Sequence, residues 1–230
     1  MHRAYLLPLL LIAAPLGAQE FDLVIRNARL IDGTGTPAAT GDLAIRGDRL
    51  AAVGRVTGRG RVEIDAAGRV AAPGFIDVHT HSEDITDLPL AENFLRMGVT
   101  TIVTGNCGTS RVDVAEFFDA IRRTGVGPNV ATLVGQGSVR GQVMGGSFMR
   151  PATPAEVDRM RELVAKAMQD GAVGMSTGLI YLPGTYTKTE ELIELAKVAA
   201  AHGGIYASHM RAETVKIFDA LDELVRIARE

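Results

Sequence analysis

The chain has no tryptophan, only 5% aromatic residues and a single cysteine among 230 residues. Without aromatic bulk, a core must be built from Val, Ile, Leu, Ala and Met. The lone Cys107 excludes an internal disulfide. Its thiol is therefore a small buried hydrophobe, a reactive group or a metal ligand. A strong excess of one charge is also lacking. The net formal charge of −3 gives no bulk electrostatic case for nucleic acid as a partner. Past the N-terminus, no apolar run approaches the ~20 residues that a membrane-spanning helix needs. What remains is ordinary globular composition, long enough for one large domain or two small ones.

Residues 1–18 read as a secretory signal peptide rather than an ordinary N-terminal helix. His2 and Arg3 form a short polar start. Leu6 to Ala14 is apolar, interrupted by Pro8, and Leu16-Gly17-Ala18 ends in small residues before Gln19-Glu20. Cleavage is expected after Ala18, giving a secreted or periplasmic protein. No cysteine stands near that point to carry a lipid, so no membrane attachment is expected after cleavage.

Residues 19–72 read as a small β module. Leu43–Arg46 and Arg49–Val53 flank Gly47-Asp48, the signature of a hairpin with a two-residue loop. Gly33-x-Gly35 is not a dinucleotide loop, because no helix and no third glycine follow. From residue 73 the rhythm changes to strand followed by helix. Strands are predicted at Phe75–His81, Thr100–Thr104, Asn129–Val134, Gly171–Ser176 and Gly204–His209. Helices are predicted at Leu88–Met97, Val112–Arg123, Pro154–Gln169 behind a Thr153 cap, Thr189–His202 with Thr189 as cap, and Thr214–Arg229. Such alternation means an α/β fold with parallel strands and right-handed crossovers. An open doubly wound sheet and a (β/α)₈ barrel both fit.

In either architecture, active sites lie at the carboxyl ends of the strands. Side chains at i, i+2 and i+4 of a strand share a face, so Asp77, His79 and His81 point one way. Cys107 follows the second strand, in Thr104-Gly105-Asn106-Cys107-Gly108. His209 ends the fifth. Four zinc-type donors at one edge point to a metal centre. A nucleophilic Cys107 beside a histidine, and unrelated buried residues, are the competing readings. Asp77 is expected to orient a neighbouring ligand or strand. Arg140 and Arg211 could each grip a substrate carboxylate or sit in a structural ion pair. His202 caps a helix end. Glu83 and Asp84 read as loop charges, and Gly145-Gly146 as a flexible loop.

Ala72-Pro73-Gly74-Phe75-Ile76-Asp77-Val78-His79-Thr80-His81 resembles the opening signature of the amidohydrolase superfamily. Three further stretches are similar to a narrower group, the D-aminoacylases (N-acyl-D-amino-acid deacylases). They are Thr100–Gly108, Ser176–Gly184 and Tyr206–Arg211. The cysteine-bearing stretch is the most specific. The resemblance implies a metal-dependent hydrolase barrel beside a small β-sandwich. Residues 19–72 would be the N-terminal part of the sandwich and residues 73–230 the first five βα units of an incomplete (β/α)₈ barrel.

It also implies that His79, His81, Cys107 and His209 bind one or two Zn²⁺ ions, and that Tyr181 helps hold the substrate carboxylate. The expected reaction is hydrolysis of a linear amide, the deacylation of a small N-acyl-D-amino acid. Two departures stand out. Gly135-Gln136-Gly137 stands where the family has a histidine between glycines. A sixth-strand histidine and the water-activating eighth-strand aspartate would fall beyond Glu230, which leaves no catalytic base within these residues. The remaining readings are a non-catalytic fragment with an unpaired strand edge, and a related cyclic amidase or dipeptidase. The latter group uses a modified lysine or a glutamate where this chain has Cys107.

Overall fold

A computed structural model describes residues 19–230, and the signal-peptide reading of residues 1–18 lies outside them. Two compact units divide the chain, one ending at Pro73 and the other running from Gly74 to Glu230.

In the first unit, β1 (Gln19–Leu30), β2 (Ala39–Arg46), β3 (Arg49–Gly54) and β4 (Arg59–Asp65) form a sheet in the order β3-β2-β1-β4. A short β5 (Val70–Ala71) extends the parallel pairing along β1. The β2–β3 hairpin turns at Gly47-Asp48, where Gly47 has φ 60°, a conformation glycine adopts without steric cost. Alternation buries one face only. Val24, Ala44 and Val56 pack with Phe21 and Ala52. Arg26 ties three strands together, its guanidinium donating to Asp42 and Glu63 and to the Val56 and Gly58 carbonyls.

The second unit alternates strand and helix. Its strands are β6 (Phe75–Asp77), β7 (Val99–Thr104), β8 (Asn129–Thr132), β9 (Val134–Gly135), β10 (Gly174–Gly178) and β11 (Ile205–His209). All pairings are parallel, in ladders β6-β7-β8 and β9-β10-β11. Only Leu133 separates β8 from β9. Its N–H donates to the Thr104 carbonyl, while the Thr132 carbonyl accepts from Val173. With β8 and β9 taken as one interrupted strand, the strands stand side by side in chain order. A doubly wound sheet reverses its strand order at a switch point. No such reversal occurs among the described strands.

The helices are α1 (Glu92–Arg96), α2 (Val114–Thr124), α3 (Gln136–Met144), α4 (Pro154–Gln169), α5 (Thr189–Ala201) and α6 (Ile217–Arg229). Val134 and Met175 from the strands meet Val139, Met160, Val164 and Leu195 from α3, α4 and α5, all fully buried. Each such side chain contributes roughly 1.5–3 kcal/mol by leaving water. A second cluster joins Ile102 of β7 to Val99, Ile85 and Phe117 of α2.

Four sequence expectations are corrected. The first strand stops at Asp77 rather than His81, because the chain leaves the ladder to present its histidines. The helix expected over Leu88–Met97 shrinks to α1, with Ala91 in the left-handed region at its start. α3 fills a stretch with no predicted element. Thr189 is not a cap: it is the first residue of α5, and its hydroxyl donates to Glu223 at 2.8 Å. No helix among the described residues is long and apolar enough to cross a membrane.

Candidate metal centre

The two histidines are presented by Thr80 between them. Thr80 is buried, and both its N–H and its hydroxyl donate to the Val103 carbonyl, at 2.9 and 3.0 Å. With Thr80 turned into the ladder, His79 and His81 face the same way, their ring centroids 5.6 Å apart. Asp77 accepts from the His79 backbone N–H at 3.1 Å. It thus fixes the strand end through the main chain.

Cys107 sits in the turn after β7 with φ 52°. A non-glycine residue there is strained by roughly 1–3 kcal/mol and needs surrounding structure to hold it. That structure is explicit. The Ser176 hydroxyl, fully buried on β10, accepts from Gly108 N–H at 3.0 Å and donates to the Gly105 carbonyl. Asn106 Nδ2 donates to the Val103 carbonyl at 3.0 Å. Gly178 packs so closely that a Cβ there would stand 2.1 Å from the Cys107 carbonyl.

Held this way, Cys107 Sγ lies 3.3 Å from His79 Nε2 and 3.8 Å from His209 Nδ1. Donor atoms of His79, His81 and Cys107 all lie within 4.8 Å of one another. A nitrogen and a sulfur bound to one tetrahedral zinc, at about 2.0 and 2.3 Å, stand about 3.5 Å apart. Both cysteine–histidine separations bracket that value, so the donor set fits a zinc ion in spacing and in chemistry. His209, on β11, touches Cys107 but falls outside the mutual cluster of the other three. The Cys107 sulfur is therefore placed between His79 on one side and His209 on the other. Burial pushes the Cys107 thiol above its ordinary value. A bound cation reverses that preference and favours the thiolate.

Around His209, Tyr181 Oη lies 3.2 Å from Nδ1, with the two rings edge to face at 4.7 Å. On the other side, Nε2 lies 2.8 Å from Glu213 Oε1, close but not aligned as a hydrogen bond. Tyr181 is 48% exposed and keeps an open face beside the cluster.

The two arginines need correction as substrate groups. Arg140 is fully buried; Nη1 binds both oxygens of Glu191 and Nη2 donates to the Phe148 and Arg150 carbonyls. Arg211 is committed to Glu223 and to the Thr185 and Thr187 carbonyls. Neither presents a free guanidinium. Gln136 likewise turns away from the cluster, its amide donating to Thr187 and Glu191 in the same buried network. Its difference from the family pattern thus serves the Arg140 ion pair. His202 Nδ1–H donates to the Val198 carbonyl at 2.9 Å, at its own helix end. Glu83 and Ser176 were missed as groups gripping the cysteine turn. Only the proximity of Glu83 to His81 in sequence could have flagged either.

The chain is 40% identical to a D-aminoacylase from Alcaligenes xylosoxydans xylosoxydans over 244 residues, covering 93% of this chain and 49% of that protein. Among solved structures, an N-acyl-D-glutamate deacylase from Bordetella bronchiseptica, complexed with zinc and a phosphonate inhibitor, superposes with TM-score 0.87 at 34% identity, over 92% of this chain and 49% of that one. A D-aminoacylase described as having a binuclear metal centre superposes with TM-score 0.86 at 36% identity, over 91% and 49%. The chain spans about half the length of the curated relatives it matches, 49% of the first. The model of the amidohydrolase family matches residues 62–230, more than half of the sequence, and the chain belongs to that family.

Proposed function

We propose that the whole protein is a zinc-dependent hydrolase that deacylates N-acyl-D-amino acids. One observation carries the reading: Cys107 Sγ stands 3.3 Å from His79 and 3.8 Å from His209, at strand ends that are far apart in sequence. Relatives named as D-aminoacylase and N-acyl-D-glutamate deacylase, at 40% and 36% identity, support the substrate class.

In this reading His79, His81, Cys107 and His209 hold one or two Zn²⁺ ions. Zinc in that cluster supplies a Lewis acid for the amide carbonyl and for the attacking water. The chain's own residues do the rest. Thr80 and Asp77 fix the direction of the histidines, and Ser176 fixes the cysteine turn. Tyr181 offers a hydroxyl beside His209 to orient the substrate carboxylate. The resemblance assigns proton transfer to an eighth-strand aspartate supplied by the remainder of the protein.

The architecture that accompanies this function is a (β/α)₈ barrel of which residues 73–230 are the first part, beside a β-sandwich begun by residues 19–72. Strands standing in chain order support the barrel. We further propose that residues 1–18 direct export and that the enzyme acts in the periplasm or outside the cell. The test is zinc content and turnover of N-acetyl-D- and L-amino acids by the purified gene product. Zinc with D-selective deacylation is expected. Neither zinc nor deacylation, with the His-x-His pair intact, would overturn the proposal.

A further inference from the structure

We propose that Glu83 is a positioning residue for the metal centre, tying the segment that carries His79 and His81 to the turn that carries Cys107. The proposal rests on the metal-centre reading above. Glu83 lies two residues past His81. Its Oε1 accepts from Thr104 Oγ1 and from Gly105 N–H, both at 2.8 Å. Thr104 is fully buried, and its hydroxyl oxygen also accepts from Ser82 N–H at 3.0 Å. On the far side of the turn, Arg111 Nε–H donates to the Glu83 carbonyl at 3.2 Å. Glu83 therefore grips the cysteine turn at both ends, by side chain at Gly105 and by main chain at Arg111.

The turn needs gripping. Gly105, Cys107 and Gly108 have φ of 81°, 52° and 78°, a run of left-handed backbone that includes one non-glycine residue. A freed turn lets Cys107 relax to negative φ, which swings Sγ away from His79. A carboxylate is suited to the grip, because its charge strengthens two bonds made at one oxygen. Since the same residue follows the histidines directly, one side chain sets the spacing between both ligand-bearing segments. Partners of ligand-bearing groups change metal affinity ~10–100-fold when removed.

The test uses the full chain with Glu83→Ala, Glu83→Gln, Glu83→Asp and, as a control, the exposed Asp84→Asn. Two readouts are needed: cobalt titration, followed by the thiolate–cobalt charge-transfer band, and the rate at which iodoacetamide alkylates Cys107 in metal-free protein, read by peptide mass spectrometry. Glu83→Ala is expected to weaken cobalt binding ~10–100-fold, diminish the band and speed alkylation several-fold. Glu83→Gln keeps an oxygen that can accept both bonds and should recover most of both readouts. Asp84→Asn should match the parent. Parental cobalt affinity, spectrum and alkylation rate in Glu83→Ala would overturn the proposal. If that variant does not fold, Glu83→Asp, one methylene short, decides on the same readouts. If the parent binds no cobalt, the metal reading falls, and alkylation alone still decides the role of Glu83.

Discussion

At the scale of residues, the candidate donors were picked out by alternation and by strand ends, and the structure brings Cys107 Sγ to 3.3 Å from His79 and 3.8 Å from His209. His79 and His81 alternate with the buried Thr80, Cys107 follows β7, and His209 ends β11. The left-handed backbone of Cys107 was not legible, since nothing in a single residue's identity announces φ 52°. Nor was the fate of Arg140, whose partner Glu191 lies 51 residues away. Two predictions belong here. Cys107→Ala removes the donor between His79 and His209. It should lower zinc affinity by more than the ~10–100-fold cost of losing an outer-shell partner, as measured by chelator competition. Unchanged affinity would refute the ligand assignment. Arg140→Met leaves Glu191 charged and buried without its partner. The expected loss is about 3–5 kcal/mol in denaturant unfolding, much of it regained in the Arg140→Met/Glu191→Leu double variant. A double variant as unstable as the sum of the two single changes would contradict the coupling.

At the scale of elements, α4 was read to the residue because its start is written locally. Thr153 and Glu156 form a reciprocal capping box, with Pro154 in the first turn. α3 was missed because Gly137 and Gly141 depress helix propensity, and the helix forms anyway under tertiary packing of Val139 and Met144. The end of the first strand after residue 73 was overrun for a different reason: alternation continues through His81, although the ladder stops at Asp77. The cap makes a pH prediction. Arg150 first, then the Thr153 N–H, hold the Glu156 carboxyl down at about 2 from its ordinary 4.5. Its folded value lies below its unfolded one, so the stabilisation is present above pH 4.5 and lost as pH falls through about 2. Glu156→Gln should therefore lower Tm at neutral pH and lose that difference in acid. A difference independent of pH would contradict the charge-based role.

At the scale of the whole molecule, the described parallel strands follow one another in chain order, an arrangement that supports the proposed barrel and that periodicity alone left open. Phe75 of β6 is 67% exposed and Ile205 of β11 is 60% exposed. Apolar side chains on unpaired edges are where further strands and helices pack in the proposed barrel. Metal should stabilise the fold as a whole, because the donors converge only when three separate strands are paired. Saturating zinc at ~100 times Kd should add about 2.7 kcal/mol, seen as a higher Tm that chelation reverses and that Cys107→Ala reduces. A Tm insensitive to zinc would show that the ligands do not meet on the ion.

Zinc K-edge X-ray absorption on the purified protein tests the thiolate–imidazole centre most directly. A sulfur neighbour at about 2.3 Å, together with nitrogen or oxygen neighbours at about 2.0–2.1 Å, is the predicted result. A first shell of light atoms alone, with no sulfur, would contradict the placement of Cys107 at the metal.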